Sequence, residues 1–167
     1  MKFYTYKNKQ TGKEELAIGC AVNEERLYPL SQFDMQFADM TDLITRITPA
    51  ELQILQIASL KEEGLRFIPK EDVIACAPIP RPRQDVICLG INYMAHAEES
   101  ARYKEEAFGG ERPYAIYFAK RVNEAVADGG IIPAYENLVD SLDYEVELAV
   151  VIGKDAKNVS REEAYDY

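Results

Sequence analysis

The stretch that most constrains the fold is Asp143-Tyr144-Glu145-Val146-Glu147-Leu148, which continues into Ala149-Val150-Val151-Ile152-Gly153. Its front half alternates polar and apolar residues, and its back half is a continuous apolar run. Alternation predicts a β-strand, and the apolar run predicts that the strand enters the core. Residues two apart share a strand face, so Asp143, Glu145 and Glu147 line up together. A bare buried charge is costly, so carboxylates there must be paired, protonated or bound to a cation. Oxygen ligands of this kind suit Mg²⁺, Mn²⁺ or Ca²⁺ better than zinc. The other reading is a half-exposed strand with a solvated acidic face, and the spacing alone leaves both open.

Composition narrows the class. The 167 residues fit one ordinary domain or two small ones, and 47% hydrophobic residues supply a core. A net charge of −10 argues against a nucleic-acid or anionic-membrane surface. The three cysteines, Cys20, Cys76 and Cys88, are widely spaced in apolar contexts, which predicts buried free thiols. With a single histidine in the chain, a zinc site is not expected. No signal-peptide core or membrane-length apolar run occurs, so a cytoplasmic protein is the expectation.

The first seventy residues read as a small α+β module. Strands are predicted at Phe3–Tyr6, Glu15–Val22 and Arg26–Tyr28, with a turn over residues 8–13. A helix is expected up to Ile47. A second begins at Thr48-Pro49-Ala50-Glu51, where Thr48 caps, Pro49 fits the first position and Glu51 completes a capping box. Gly64 marks its expected stop. Val73–Cys76 reads as a strand, followed by Pro78-Ile79-Pro80-Arg81-Pro82, a stiff extended linker. The expected division is a module over residues 1–70, a proline-rich linker over 71–83, and a second domain over 84–167.

In that second part, Asp85–Leu89 reads as a buried strand ending at Gly90. Asn92–Ser100 reads as a turn entering a helix. His96 and Glu99 lie three apart and would share a helix face. They form either a general base with its orienting carboxylate or an ordinary exposed pair. Residues 101–113, with Gly109-Gly110, read as a loop or lid. In the strand predicted at Tyr114–Phe118, Lys120 follows on the face of Ile116 and Phe118, so it either snorkels or points into a pocket. Asp128-Gly129-Gly130 is a turn, and Ile131–Pro133 a short strand. Ser160-Arg161-Glu162-Glu163 is a second capping box, announcing a helix that Tyr167 leaves short. The expectation is therefore a piece of a longer protein.

Three motifs in order then resemble the fumarylacetoacetate hydrolase family: Leu89-Gly90-Ile91-Asn92-Tyr93-Met94-Ala95-His96, Tyr117-Phe118-Ala119-Lys120, and Leu142–Lys154 with its Glu145-Val146-Glu147 core. Within the family, the bacterial isomerase and acylpyruvate-hydrolase branch is the nearest in kind. The resemblance implies an α+β, β-rich protein in which the small N-terminal module precedes the first part of a mixed β-roll catalytic domain. It implies Mg²⁺ or Mn²⁺, a small-molecule 2-oxo or diketo acid substrate and a homodimer, with no nucleic-acid or membrane partner. The implied reactions are C–C bond hydrolysis, decarboxylation, hydration or isomerisation through an enolate. Glu145 and Glu147 match the family's metal ligands; His96, Glu99 and Lys120 match its catalytic residues; Asn92 and Tyr93 match the substrate-side turn that places the histidine. Members supply a third metal carboxylate on a later strand, a role the resemblance does not give to Asp143. A catalytically incomplete fragment, acting only in binding or assembly, is the alternative.

Overall fold

The computed structural model describes residues 1–61, 63–95, 98 and 114–167. The described residues fall into two compact units, one of Met1–Pro80 with Ala125–Tyr167 and one of Arg81–Glu124.

The first unit is built on an antiparallel sheet of β1 (Phe3–Asn8), β2 (Glu14–Gly19), β3 (Arg26–Pro29), β4 (Ile68–Pro69) and β5 (Val73–Ala75). Its spatial order is β4-β3-β2-β1-β5. The β1–β2 turn forms where expected. The Asn8 side-chain oxygen accepts the Gln10 and Thr11 amides, and Gly12 takes φ 68°, which a side chain would resist. Strand β2 ends at Gly19, earlier than the predicted Val22, because the Ala21 amide turns away to the Ser59 carbonyl. Strand β5 forms where Val73–Cys76 read as a strand, inside the 71–83 stretch assigned to the linker. It pairs with β1, and the Thr5 hydroxyl donates to the Pro78 carbonyl at 2.7 Å.

Helix α1 (Met40–Arg46) starts at Asp39, whose carboxylate accepts the Asp42 amide. Helix α2 (Pro49–Ser59) carries the full capping box: the Glu51 amide donates to Thr48 Oγ1, and the Thr48 amide donates to Glu51 Oε2. The helix ends before Gly64 because the Leu60 and Lys61 amides bond three residues back, to Ile57 and Ala58, which tightens the last turn. One face of the sheet packs Leu16, Ile18 and Tyr28 against Met40, Leu43, Leu55 and Ala58. The other holds a smaller cluster of Tyr6, Ala17 and Leu27 with Ile68 and Val73. Burial of the Tyr6 ring, and then its hydrogen bond to the Glu15 carboxylate at 2.7 Å, raise the phenol's pKa. Tyr28, fully buried, donates to the Lys61 carbonyl at 2.6 Å; burial, reinforced by the Cys20 thiol, pushes its pKa up to about 12.

Residues 131–152 depart from the sequence reading. All are exposed, and none belongs to a strand. The strand expected at Ile131–Pro133 is absent, and the stretch Asp143–Gly153, read as a buried strand, is exposed up to Ile152 and assigned to no strand. Val146 is 87% exposed and Leu148 82%. Alternation sets which residues share a face, but burial needs a neighbouring strand and a covering layer, and among the described residues no strand supplies either. At Ser160, the Glu163 amide donates to the hydroxyl as in a cap, yet only a 3₁₀ turn, Ala164–Asp166, follows. The cysteines also differ from expectation: Cys20 is buried, while Cys76 and Cys88 are half-buried.

In the second unit, β6 (Val86–Gly90) and β7 (Ile116–Lys120) form one antiparallel pair. Of the mixed β-roll that the resemblance implies, the described residues of this unit contain that pair alone. Strand β6 was expected to be buried, but it is exposed or half-buried because nothing described in the unit layers onto it. No helix among the described residues is long and apolar enough to cross a membrane.

Candidate functional site

The β6–β7 ladder places three of the candidate residues. Gly90 pairs with Ile116 at one end, and Val86 with Lys120 at the other. Just past Gly90, Ile91 adopts φ 50°. That is an unfavourable conformation for a β-branched residue. The chain leaves the ladder at this point, and Asn92 and Tyr93 follow it, both exposed. Met94, Ala95 and Glu98 are helical, as the predicted turn into a helix requires. His96 and Glu99, and the loop expected over 101–113, lie outside the described residues.

Around that ladder end is a shallow groove of about 210 Å³, lined by residues 89–92 and 114–116. Asn92 and Tyr114 are the lining residues with polar side chains. Tyr114 had been read only as a strand residue; the alternation that put it there carries no sign of a groove. Lys120 sits away from this groove. At ~3.3 Å per residue, the four steps of β7 separate the two ladder ends by about 13 Å. The Lys120 ammonium lies 5.8 Å from the Phe118 ring centroid, a cation–π contact on its own strand face. Asn92 thus lines the groove, Tyr93 follows it in the chain, and Lys120 lies apart.

Glu145 and Glu147 lie in the exposed stretch of the first unit, at the two-residue spacing that keeps them on one side of an extended chain. Asp143 is turned back on its own backbone, with Oδ1 accepting the Tyr144 amide at 2.9 Å. Among the described residues, no group of three or more His, Cys, Asp or Glu side chains is placed to hold a metal ion. In donor type the two carboxylates fit a hard cation such as Mg²⁺; in number they fall short of a closed site.

Comparison with known proteins gives this arrangement its context. Residues 85–167 match the family described as Fumarylacetoacetate (FAA) hydrolase C-terminal. That segment contains every candidate site residue named above. The chain is 43% identical over 91 residues to Oxaloacetate tautomerase YisK of Bacillus subtilis (strain 168), a span of 54% of this chain and 29% of that protein. It is 42% identical over 105 residues to Fumarylacetoacetate hydrolase domain-containing protein 2 homolog of Dictyostelium discoideum, covering 61% of this chain and 30% of the relative. An uncharacterized protein of Staphylococcus aureus (strain USA300) is 33% identical over 90 residues, 27% of its length. The chain therefore spans less than a third of the length of these relatives.

Proposed function

We propose that residues 85–167 are the first part of the catalytic domain of a divalent-metal-dependent enzyme acting on 2-oxo or diketo acids. The observation that carries this reading is the family match, which runs through Asn92, His96, Lys120, Glu145 and Glu147 together. The similarity to a protein named as an oxaloacetate tautomerase favours the mildest of the family's reactions, keto–enol exchange.

That reaction asks for proton transfer alone. One proton leaves the carbon next to the carbonyl, another reaches the carbonyl oxygen, and nothing is oxidised or reduced. Glu145 and Glu147 would hold Mg²⁺ or Mn²⁺, which when bound polarises the carbonyl and stabilises the enolate. His96, oriented by Glu99, takes the carbon proton and delivers it to the enolate oxygen, and the reverse transfer regenerates the ketone. Lys120 offers positive charge to the enolate oxygen. Asn92 and Tyr93 orient the substrate beside the groove. C–C hydrolysis would add an activated water to the same constellation. A homodimer belongs to this reading too.

A second reading has its own support in the exposure of residues 131–152: a catalytically incomplete chain that acts only by binding or assembly. The decay of the oxaloacetate enol absorbance, followed with the chain and millimolar Mg²⁺, separates the two. Acceleration that falls by roughly 10²–10⁴-fold in His96→Asn, and also falls in Glu145→Ala, supports the enzyme. A folded chain without acceleration supports the second reading.

A further inference from the structure

Asp128-Gly129 is the one place in the chain where an aspartate precedes a glycine, and no asparagine precedes one. After every other aspartate, the next backbone nitrogen belongs to a residue with a side chain, which crowds any approach to that nitrogen. The pair also forms the centre of a tight turn. The Gly130 amide donates to the Ala127 carbonyl at 2.9 Å, and Gly129 takes φ 71°. That combination is a type II turn, whose third residue needs the freedom of glycine. Both central residues are exposed, and a Cβ added to Gly129 would meet nothing within 4 Å. The bond that closes the turn uses the Gly130 amide and leaves the Gly129 nitrogen out of it.

We propose that Asp128 is a modification site, at which its side chain condenses with the Gly129 nitrogen and the chain passes slowly into the β-linked isoaspartyl form. The Gly129 nitrogen gives up its proton and bonds to Asp128 Cγ. The Cγ–OH bond breaks, one water leaves, and a five-membered imide ring results. Water then opens the ring. Attack at Cγ restores aspartate. Attack at the main-chain carbonyl carbon breaks its bond to nitrogen, so the chain now runs through Cβ and Cγ and the old carbonyl carbon becomes a free carboxylate. One water is lost and one regained, and nothing is oxidised or reduced. Ring closure requires the Asp128–Gly129 peptide to rotate until its nitrogen meets Cγ, and the open space around Gly129 permits that rotation. Asp140-Ser141 is exposed as well, but there the Ser141 side chain stands beside the nitrogen. In the product, one extra atom enters the main chain between Ala127 and Gly130. The closing bond then no longer spans an ordinary four-residue turn.

The test is to age the folded 167-residue chain in warm neutral buffer for several weeks and digest it with trypsin. Cleavage after Arg121 and Lys154 releases residues 122–154, which carry both Asp128 and Asp140. Ageing should add a second species of identical mass, and electron-transfer fragmentation should place the β-linkage at Asp128. The intact aged chain should become a methyl acceptor for protein L-isoaspartate methyltransferase. Asp128→Glu should lose both signals, because its ring would need a sixth atom. Asp128→Asn closes the same ring with loss of ammonia and should convert faster than the unaltered chain. An aged chain that stays α-linked at Asp128 would overturn the proposal. So would β-linkage that appears at Asp140 as fast as at Asp128, or methyl labelling that Asp128→Glu leaves unchanged. These measurements use no substrate and no metal, so their outcome is independent of the enzymatic reading.

Discussion

The tripeptide Glu-Leu-Ala occurs twice in this chain, with opposite fates. At Glu15-Leu16-Ala17 it sits in the middle of β2, where Leu16 is 9% exposed and Ala17 is fully buried. At Glu147-Leu148-Ala149 it is open, with Leu148 82% exposed. Local propensity is the same in both. In the first, β1 and β3 flank the strand and two helices cover one face. In the second, no described strand lies alongside. Glu15 shows the same contrast for charge: its carboxylate accepts the Tyr6 hydroxyl, a partner that the sheet register places directly opposite. The same three residues form a buried strand in one place and no strand in the other, so neither outcome is written in the tripeptide itself.

The sharpest way to break this comparison is to make one deletion in both regions. Ile18→Ala removes a fully buried side chain and should cost about 2–5 kcal/mol in urea unfolding. Ile131→Ala removes the same atoms from a residue 88% exposed and should stay within about 0.5 kcal/mol. Equal losses would mean that residues 131–152 are packed in solution. Next in size is Tyr28→Phe, which takes away the hydrogen bond to the Lys61 carbonyl and should lower stability by about 1 kcal/mol.

That tyrosine also gives the comparison a pH axis. Its pKa in the fold stands above the ordinary value of 10.0, so the unfolded chain gives up this proton first as pH rises. Its contribution is complete below pH 10 and is lost as pH climbs towards about 12. Thermal melts across that window should fall less steeply in Tyr28→Phe than in the unaltered protein.

Thr48→Ala, which opens the α2 cap, should cost about 1 kcal/mol in the same unfolding assay. The smallest effect is expected in acid. The Thr48 amide and hydroxyl hold the Glu51 carboxyl below its usual 4.5. The stabilisation is present above that value and disappears as pH falls through the depressed one, so Thr48→Ala should show the shallower acid slope.

What the sequence made legible follows the range of the interaction. The β1–β2 turn at Asn8 and the Thr48–Glu51 box both depend on residues within four positions of each other. Each was readable and is observed. Strand β4, two residues long, carries no periodicity to read. Strand β5 was readable at Val73–Cys76, but its pairing with β1 joins residues far apart in the chain, and the division into domains put it in the linker. The candidate site divides in the same way. Its residues were named from three motifs, and the family match covers the segment that holds them. Their spatial relation was not legible: the antiparallel register of β6 and β7 sends Lys120 to the end of the ladder away from Asn92, and the order of the motifs does not encode that. The exposure of Glu145 and Glu147 was equally hidden, because two carboxylates at period two look alike on a covered strand and on an open one.

The position of β5 also bears on how the chain is made. A ribosome releases β1 first, yet the strand that completes its outer edge, Val73–Ala75, emerges some 65 residues later. At ~5–20 residues per second, the nascent β1 edge stays unpaired for roughly 3–13 s. During that interval the exposed rim presents Lys7, which in the finished sheet sits opposite Ile74. A lysine in the middle of an open edge discourages pairing with other chains. The residue that looks incidental in the folded module is well placed to protect it during synthesis.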